Sequence, residues 1–163
     1  VFGFSQVAMD LEPLVRMLRG DAILHGFTHT YLGATLVGLF SVLAGRPVCE
    51  RLLRWWKPDP GAPLLAWMAV QDTGIPWSAA AAGAFVGTYS HVALDSVMHD
   101  DMRPLAPLSA ANGLLLAIPV DSLHVLCVAT GLAGLLLMIA FARMRGVRHG
   151  EHRGCKCADR SRR

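Results

Sequence analysis

Three stretches of the chain are apolar with few interruptions: His25 to Gly45, Ile75 to Met98, and Val120 to Ala142. Each reaches the roughly 20 residues that a helix needs to cross a bilayer, and each is expected to span. The first carries no charge from Thr30 to Gly45, and the second is nearly all small residues from Ala79 to Gly87. Small residues let membrane helices approach one another closely. Val1 to Met9 reads as the end of an earlier span, and Asp10-Leu11-Glu12-Pro13 is expected to end it. Leu14 to Leu24 alternates apolar and arginine positions and is expected along the interface until Gly20-Asp21 breaks it. Arg46-Pro47 is expected to end the first full span. Val48 to Trp56, basic and closed by two tryptophans, reads as an interfacial helix. Lys57 to Pro63 reads as a loop, Leu64 to Val70 as an apolar piece too short to cross, and Gln71 to Gly74 as a turn. His99 to Asn112 reads as a polar connection.

This pattern predicts an all-α polytopic membrane helix bundle with three full spans plus the end of a fourth, and interfacial helices beside them. The bundle is expected over residues 1–142, and a basic tail without regular structure over 143–163. Composition agrees: 53% of residues are hydrophobic and 17% charged, against about 25% charged in an average soluble domain, and the mean hydropathy is +0.42. The chain opens at Val1 within an apolar stretch, so a missing or processed N-terminal segment is expected, and no charged n-region followed by a cleavage site is visible.

The net charge of +3 hides an asymmetry. Four of the 15 Lys and Arg lie between Arg46 and Lys57 and eight lie from Arg143 onward. On a soluble chain such a tail would point to nucleic acid; on this one the positive-inside rule accounts for it. We therefore expect membrane lipid and a small or lipid-linked substrate as partners, and no nucleic acid. The expected location is the cytoplasmic (inner) membrane, multi-pass, with the tail in the cytoplasm. Cys49, Cys127, Cys155 and Cys157 have no disulfide-framework spacing and are expected to be reduced thiols. The tail's His149, His152, Cys155 and Cys157 could chelate zinc, but the basic, glycine-containing flanks favour a solvated tail.

The chemistry concentrates at one end of the spans. In a helix His91, Asp95 and His99 fall at i, i+4 and i+8 on one face, and His25 and His29 repeat the i, i+4 spacing. Asp10 and Glu12 precede Pro13. Imidazole and carboxylate together suit Zn, Mn or Fe, so Asp10, His25, His29, His91, Asp95 and His99 are the candidate metal ligands, for one or two divalent ions. Asp10 or Glu12 is the candidate general base. Thr28, Tyr89 and Ser90 are placed to support ligands. Asp100 and Asp101 read as solvent groups at a helix end, and Asp121 with His124 as a cap of the last span.

Ser5-Gln-Val-Ala-Met-Asp10-Leu-Glu-Pro13, His25-Gly-Phe-Thr-His29-Thr and Gly87-Thr-Tyr-Ser-His91-Val-Ala-Leu-Asp95 together resemble the bacterial membrane-bound metal-dependent hydrolases of the YdjM-like kind. The resemblance covers about Ser5 to Asn112. It implies Asp10, His25, His29, His91 and Asp95 as metal residues, and hydrolysis of an ester or phosphoester through metal-activated water. The resembled pattern carries an arginine after the first histidine, where this chain has Gly26. Two other classes stand beside the hydrolase. A non-enzymatic metal-binding or metal-transport protein would need a polar path through the spans. A haem protein with axial histidines would show a Soret band.

Overall fold

A computed structural model of the chain describes residues 1–55 and 74–160, with side chains as far as Phe141. The expected loop at Lys57–Pro63, the short apolar piece Leu64–Val70 and most of the Gln71–Gly74 turn lie outside the described residues, as do the side chains of His149, His152, Cys155 and Cys157. Among the described residues the secondary structure is all helical. The helices are α1 (Phe2–Arg19), α2 (Tyr31–Phe40), α3 (Arg46–Trp55), α4 (Trp77–Met98) and α5 (Val120–Arg160), with a 3-10 turn at Phe27–His29 and a π-helical turn at Ser41–Gly45. Two compact units are distinguished, one holding α1 to α4 and the connection to Val120, the other holding α5 from Asp121.

In the first unit α4 packs against α1 and α2. Glycines mark the closest approaches. A Cβ at Gly87 of α4 would overlap the Ser5 hydroxyl of α1, and one at Gly38 of α2 would stand 2.9 Å from the Phe85 ring of α4. The small residues therefore serve the helix contacts expected of them. Met9, Ala34, Val92 and Met102 are fully buried, and Tyr31 and Val37 pack against them.

Two proline positions differ from the sequence reading. Pro13 does not end a helix: α1 runs through it to Arg19 and stops at Gly20, whose left-handed φ of 75° permits the cap bonds to Arg16 and Met17. An internal proline costs about 3 kcal/mol, and packing against α4 holds α1 through it. Arg46-Pro47 does not end a helix either. The π turn at Ser41–Gly45 comes just before Pro47, where the ring clashes with the preceding carbonyls, and the wider turn absorbs that clash. Tyr31 to Trp55 is thus continuous helix.

Among the described residues two helices are long and apolar enough to cross a membrane, Tyr31–Trp55 and Val120–Phe141. This is two where three full spans were expected. Helix α4 has 22 residues, but Thr88, Tyr89, Ser90, His91, Asp95 and Ser96 dilute its apolar character. The basic run from Arg143, expected to lack regular structure, continues α5 as backbone helix to Arg160. No proline follows Pro119 to stop it.

Candidate metal centre

The last two turns of α4 carry His91 and Asp95, and the chain then leaves the helix. Helix α2 begins at Thr30, whose side chain accepts the Gly33 N–H at 2.9 Å and caps it. Immediately before that cap the 3-10 turn presents His29, with His25 in the irregular chain ahead of it. A Cβ at Gly33 would overlap the Phe27 carbonyl, so only glycine lets this turn fold back on α2. Helix α1 brings Asp10 from a third side.

The three histidines meet at one carboxylate oxygen. Asp95 Oδ2 lies 3.2 Å from His91 Nε2, 3.5 Å from His29 Nε2 and 3.9 Å from His25 Nε2. Asp10 Oδ1 lies 3.2 Å from the same His91 nitrogen. Neighbouring ligands bound at zinc distances around a tetrahedral ion stand about 3.3 Å apart. The Asp10–His91, His91–Asp95 and Asp95–His29 spacings match that figure, and the donors form two overlapping triads, Asp10 with His29 and His91, and Asp95 with His25 and His29. His29 is 1% exposed and Asp10 65%, so the cluster is closed by protein at His29 and open at Asp10. The Nε2 atoms of His29 and His91 are buried and have no hydrogen-bond partner. Buried polar atoms nearly always find one. Two buried imidazole nitrogens turned toward one carboxylate without a hydrogen bond are suited to a divalent cation, and the residues present fit one.

The far sides of the rings are all engaged. His91 Nδ1 meets the Gln6 side-chain oxygen at 2.5 Å, His29 Nδ1 meets the Thr28 hydroxyl at 3.0 Å, and His25 Nδ1 meets Asp101 at 2.7 Å. Burial pushes the His29 imidazole down to about 4, although the Asp95 carboxylate opposes it. The ring is therefore neutral near pH 7.

Asp101, read from sequence as a solvent group, accepts from the backbone N–H groups of Leu24 and His25 at 2.9 and 3.0 Å as well as facing the His25 ring. Partial burial pushes its carboxyl up, but the His25 and Leu24 hydrogen bonds outweigh that and hold it at about 2. It anchors the segment that delivers His25. No sequence signal marked it, because the contact joins positions 76 residues apart.

His99 departs from the expected stripe. Helix α4 ends at Met98, and His99 caps it with extended backbone, so the helical phase does not carry to i+8. Its ring instead stacks on His25, with centroids 4.4 Å apart, and joins a second grouping with His25 and Asp101.

Glu12 is not among the grouped ligands. Its carboxylate accepts from the Phe27 and Thr28 backbone N–H groups, from the Thr28 hydroxyl at 2.5 Å and from Arg16. Burial raises its pKa, and these donors, Thr28 foremost, lower it further to below the ordinary carboxylate range. Glu12 clamps the turn that carries His29. A Cβ at Gly26 would overlap the Glu12 carboxylate and the Arg16 guanidinium, so α1 fills the space where the resembled pattern has an arginine side chain. Of the residues expected to support ligands, Thr28 touches His29, whereas Tyr89 bonds Thr35 at 2.9 Å and Ser90 bonds its own helix at Gly87.

Comparison with protein-family models, with curated proteins and with solved structures finds no match for this chain.

Proposed function

We propose that this protein is a membrane-bound metal-dependent hydrolase that cleaves an ester or phosphoester, with a lipid-linked substrate the best fit. The observation that carries the reading is the pair of buried Nε2 atoms of His29 and His91, neither hydrogen-bonded, turned toward Asp95 Oδ2. Asp10, His29, His91 and Asp95 would hold the ion, with His25 as a fifth, wider ligand. A divalent ion there would supply an activated water and a counter-charge for the developing oxyanion. Zinc suits a triad of such donors with an open position; Mn or Fe suits a larger set that includes His25. The exposed Asp10 lies on the open side, where it is placed either to bind the ion or to accept a proton from water.

Position supports the substrate class. The cluster immediately precedes Tyr31, the first residue of an apolar helix able to cross a membrane. A hydrolytic centre at that level meets a headgroup, not an acyl chain. In the proposed topology α4 is a third span and α1 the end of a fourth, the chain is a multi-pass inner-membrane protein, and both basic segments face the cytoplasm.

The test is metal content per chain in detergent-purified protein, beside His91→Ala and Asp95→Ala. The reading expects one or two equivalents of Zn, Mn or Fe in the parent, loss from both folded variants, and release of p-nitrophenol from bis-p-nitrophenyl phosphate by the parent alone. A parent that takes up no metal when offered it would sink the reading. A parent that binds metal and hydrolyses neither phosphoester nor carboxylic ester would leave a metal-binding protein.

A further inference from the structure

Thr28 stands between two partners of opposite kind. On one side is the Glu12 carboxylate, 2.5 Å from its hydroxyl; on the other is His29 Nδ1, at 3.0 Å. An ionised carboxylate can only accept a hydrogen bond, and a hydroxyl has one proton to give. The Thr28 proton therefore goes to Glu12. Toward His29 the hydroxyl can only accept, so the ring must bring the proton on Nδ1. That leaves Nε2 bare, which explains why this buried atom has no hydrogen-bond partner although the Asp95 carboxylate is 3.5 Å away.

We infer that Glu12 and Thr28 are positioning residues that set the tautomer of His29, so that its Nε2 lone pair is presented to the metal centre before any ion arrives. The inference rests on the metal reading for its purpose but not for its geometry. Left to itself, His29 would donate from Nε2 to Asp95, which would place a proton where a cation should sit. The relay from Glu12 through Thr28 forbids this. A fixed outer hydrogen bond of this kind sets ring orientation and makes the ligand more basic, and its loss typically lowers metal affinity 10–100-fold.

The arrangement recurs at the neighbouring ring with different chemistry. The Gln6 amide nitrogen donates to the Gly87 carbonyl at 3.2 Å, so its oxygen is the atom that faces His91 Nδ1. Helix α1 thus supplies the outer partner of two rings, Gln6 directly and Glu12 through Thr28. This is a second use for a helix whose Asp10 reaches the site itself.

The experiment reads the tautomer without metal. Full-length chain, labelled with nitrogen-15, is stripped with chelator in detergent at pH 7.5, and ring nitrogens are correlated with ring carbon-bound protons by NMR. A His29→Gln sample assigns the resonances. The expected His29 pattern is protonated Nδ1 with bare Nε2, the minority form of free histidine. Thr28→Ser retains it. Thr28→Val, which keeps the shape and removes the hydroxyl, moves the proton to Nε2 and weakens zinc binding by about 10–100-fold in calorimetry, with the circular dichroism unchanged. Glu12→Gln serves as a second variant if Thr28→Val does not fold. Its amide can donate to Thr28, freeing the hydroxyl to donate to Nδ1, so the same shift is expected. A parent with the proton already on Nε2, or variants that shift neither tautomer nor affinity, would overturn the inference. A parent with the expected tautomer that binds none of Zn, Mn or Fe would leave the relay standing and remove the hydrolase reading.

Discussion

At the scale of single residues the centre depends on His29 being neutral and buried. Its folded-state pKa is lowered from 6.5 to about 4, so the unfolded chain binds the extra proton first. Stability from this group is full above pH 6.5 and is lost as pH falls through 4. The shift corresponds to a contribution on the order of 3 kcal/mol. Metal-free protein should lose stability to urea between pH 6.5 and 4, and His29→Gln should remove that part of the slope. Equal slopes in the two proteins would show that His29 is not held neutral. Asp101 gives a second expectation. Asp101→Asn keeps the shape but removes the charge that accepts from Leu24, His25 and the His25 ring. The variant should fold, bind metal more weakly than the parent and lose less affinity than Asp95→Ala, since it acts on one outlying ring. Calorimetric zinc titration of the three proteins checks the order.

At the scale of elements, glycines decide how near the segments come. Gly33→Ala would drive a methyl into the Phe27 carbonyl, displacing the turn that carries His29. Overpacking of this kind costs about 1–3 kcal/mol. Gly131→Ala in α5 meets nothing within 4 Å and should stabilise that helix by about 0.5–1 kcal/mol. Thermal melts in detergent should therefore move in opposite directions, and only Gly33→Ala should lower metal affinity. The same elements show what the sequence could and could not reveal. His91 and Asp95 were legible because they share a regular helix, where spacing alone fixes the face. His25 and His29 have the same spacing but sit in a 3-10 turn and irregular chain; they converge because Glu12 and Asp101 hold the turn from two other segments. Glu12 itself was read as catalytic because its chemistry is visible in the sequence and its partners are not. Pro13 and Pro47 were read as breaks because the local cost of proline is large, whereas the packing on α4 and the π turn that offset it are tertiary facts. The all-helical class followed from the apolar runs; the number of runs that qualify as spans did not, because α4 combines span length with the polar side chains of the site.

At the scale of the whole molecule the question is what α4 does in the bilayer. Twelve of the 15 Lys and Arg fall in two segments, four at Arg46–Lys57 and eight at Arg143–Arg163. Positive segments of this kind are retained on the cytoplasmic side. The proposed topology places both there, so the chain between them must cross the membrane an even number of times. Helix α5 over Val120–Phe141 qualifies as one crossing. On that proposal the other would fall to α4, whose 22 residues extend about 33 Å at the helical rise, near the thickness of the hydrocarbon core. Its polar residues do not forbid this, since they are gathered in its last turns, where His91 and Asp95 face the other ligands and not lipid. The connection after α4 would then lie outside the cytoplasm together with the metal centre. In a variant without native cysteines, Ala110→Cys should react with a membrane-impermeant maleimide in cells whose inner membrane is intact, and Ser161→Cys only after that membrane is opened. Labelling of both positions only after opening would mean that neither α4 nor α5 crosses, and the centre would face the cytoplasm. Labelling of both in intact cells would contradict the charge rule for the tail and the crossing by α5, while leaving the centre where the proposal puts it.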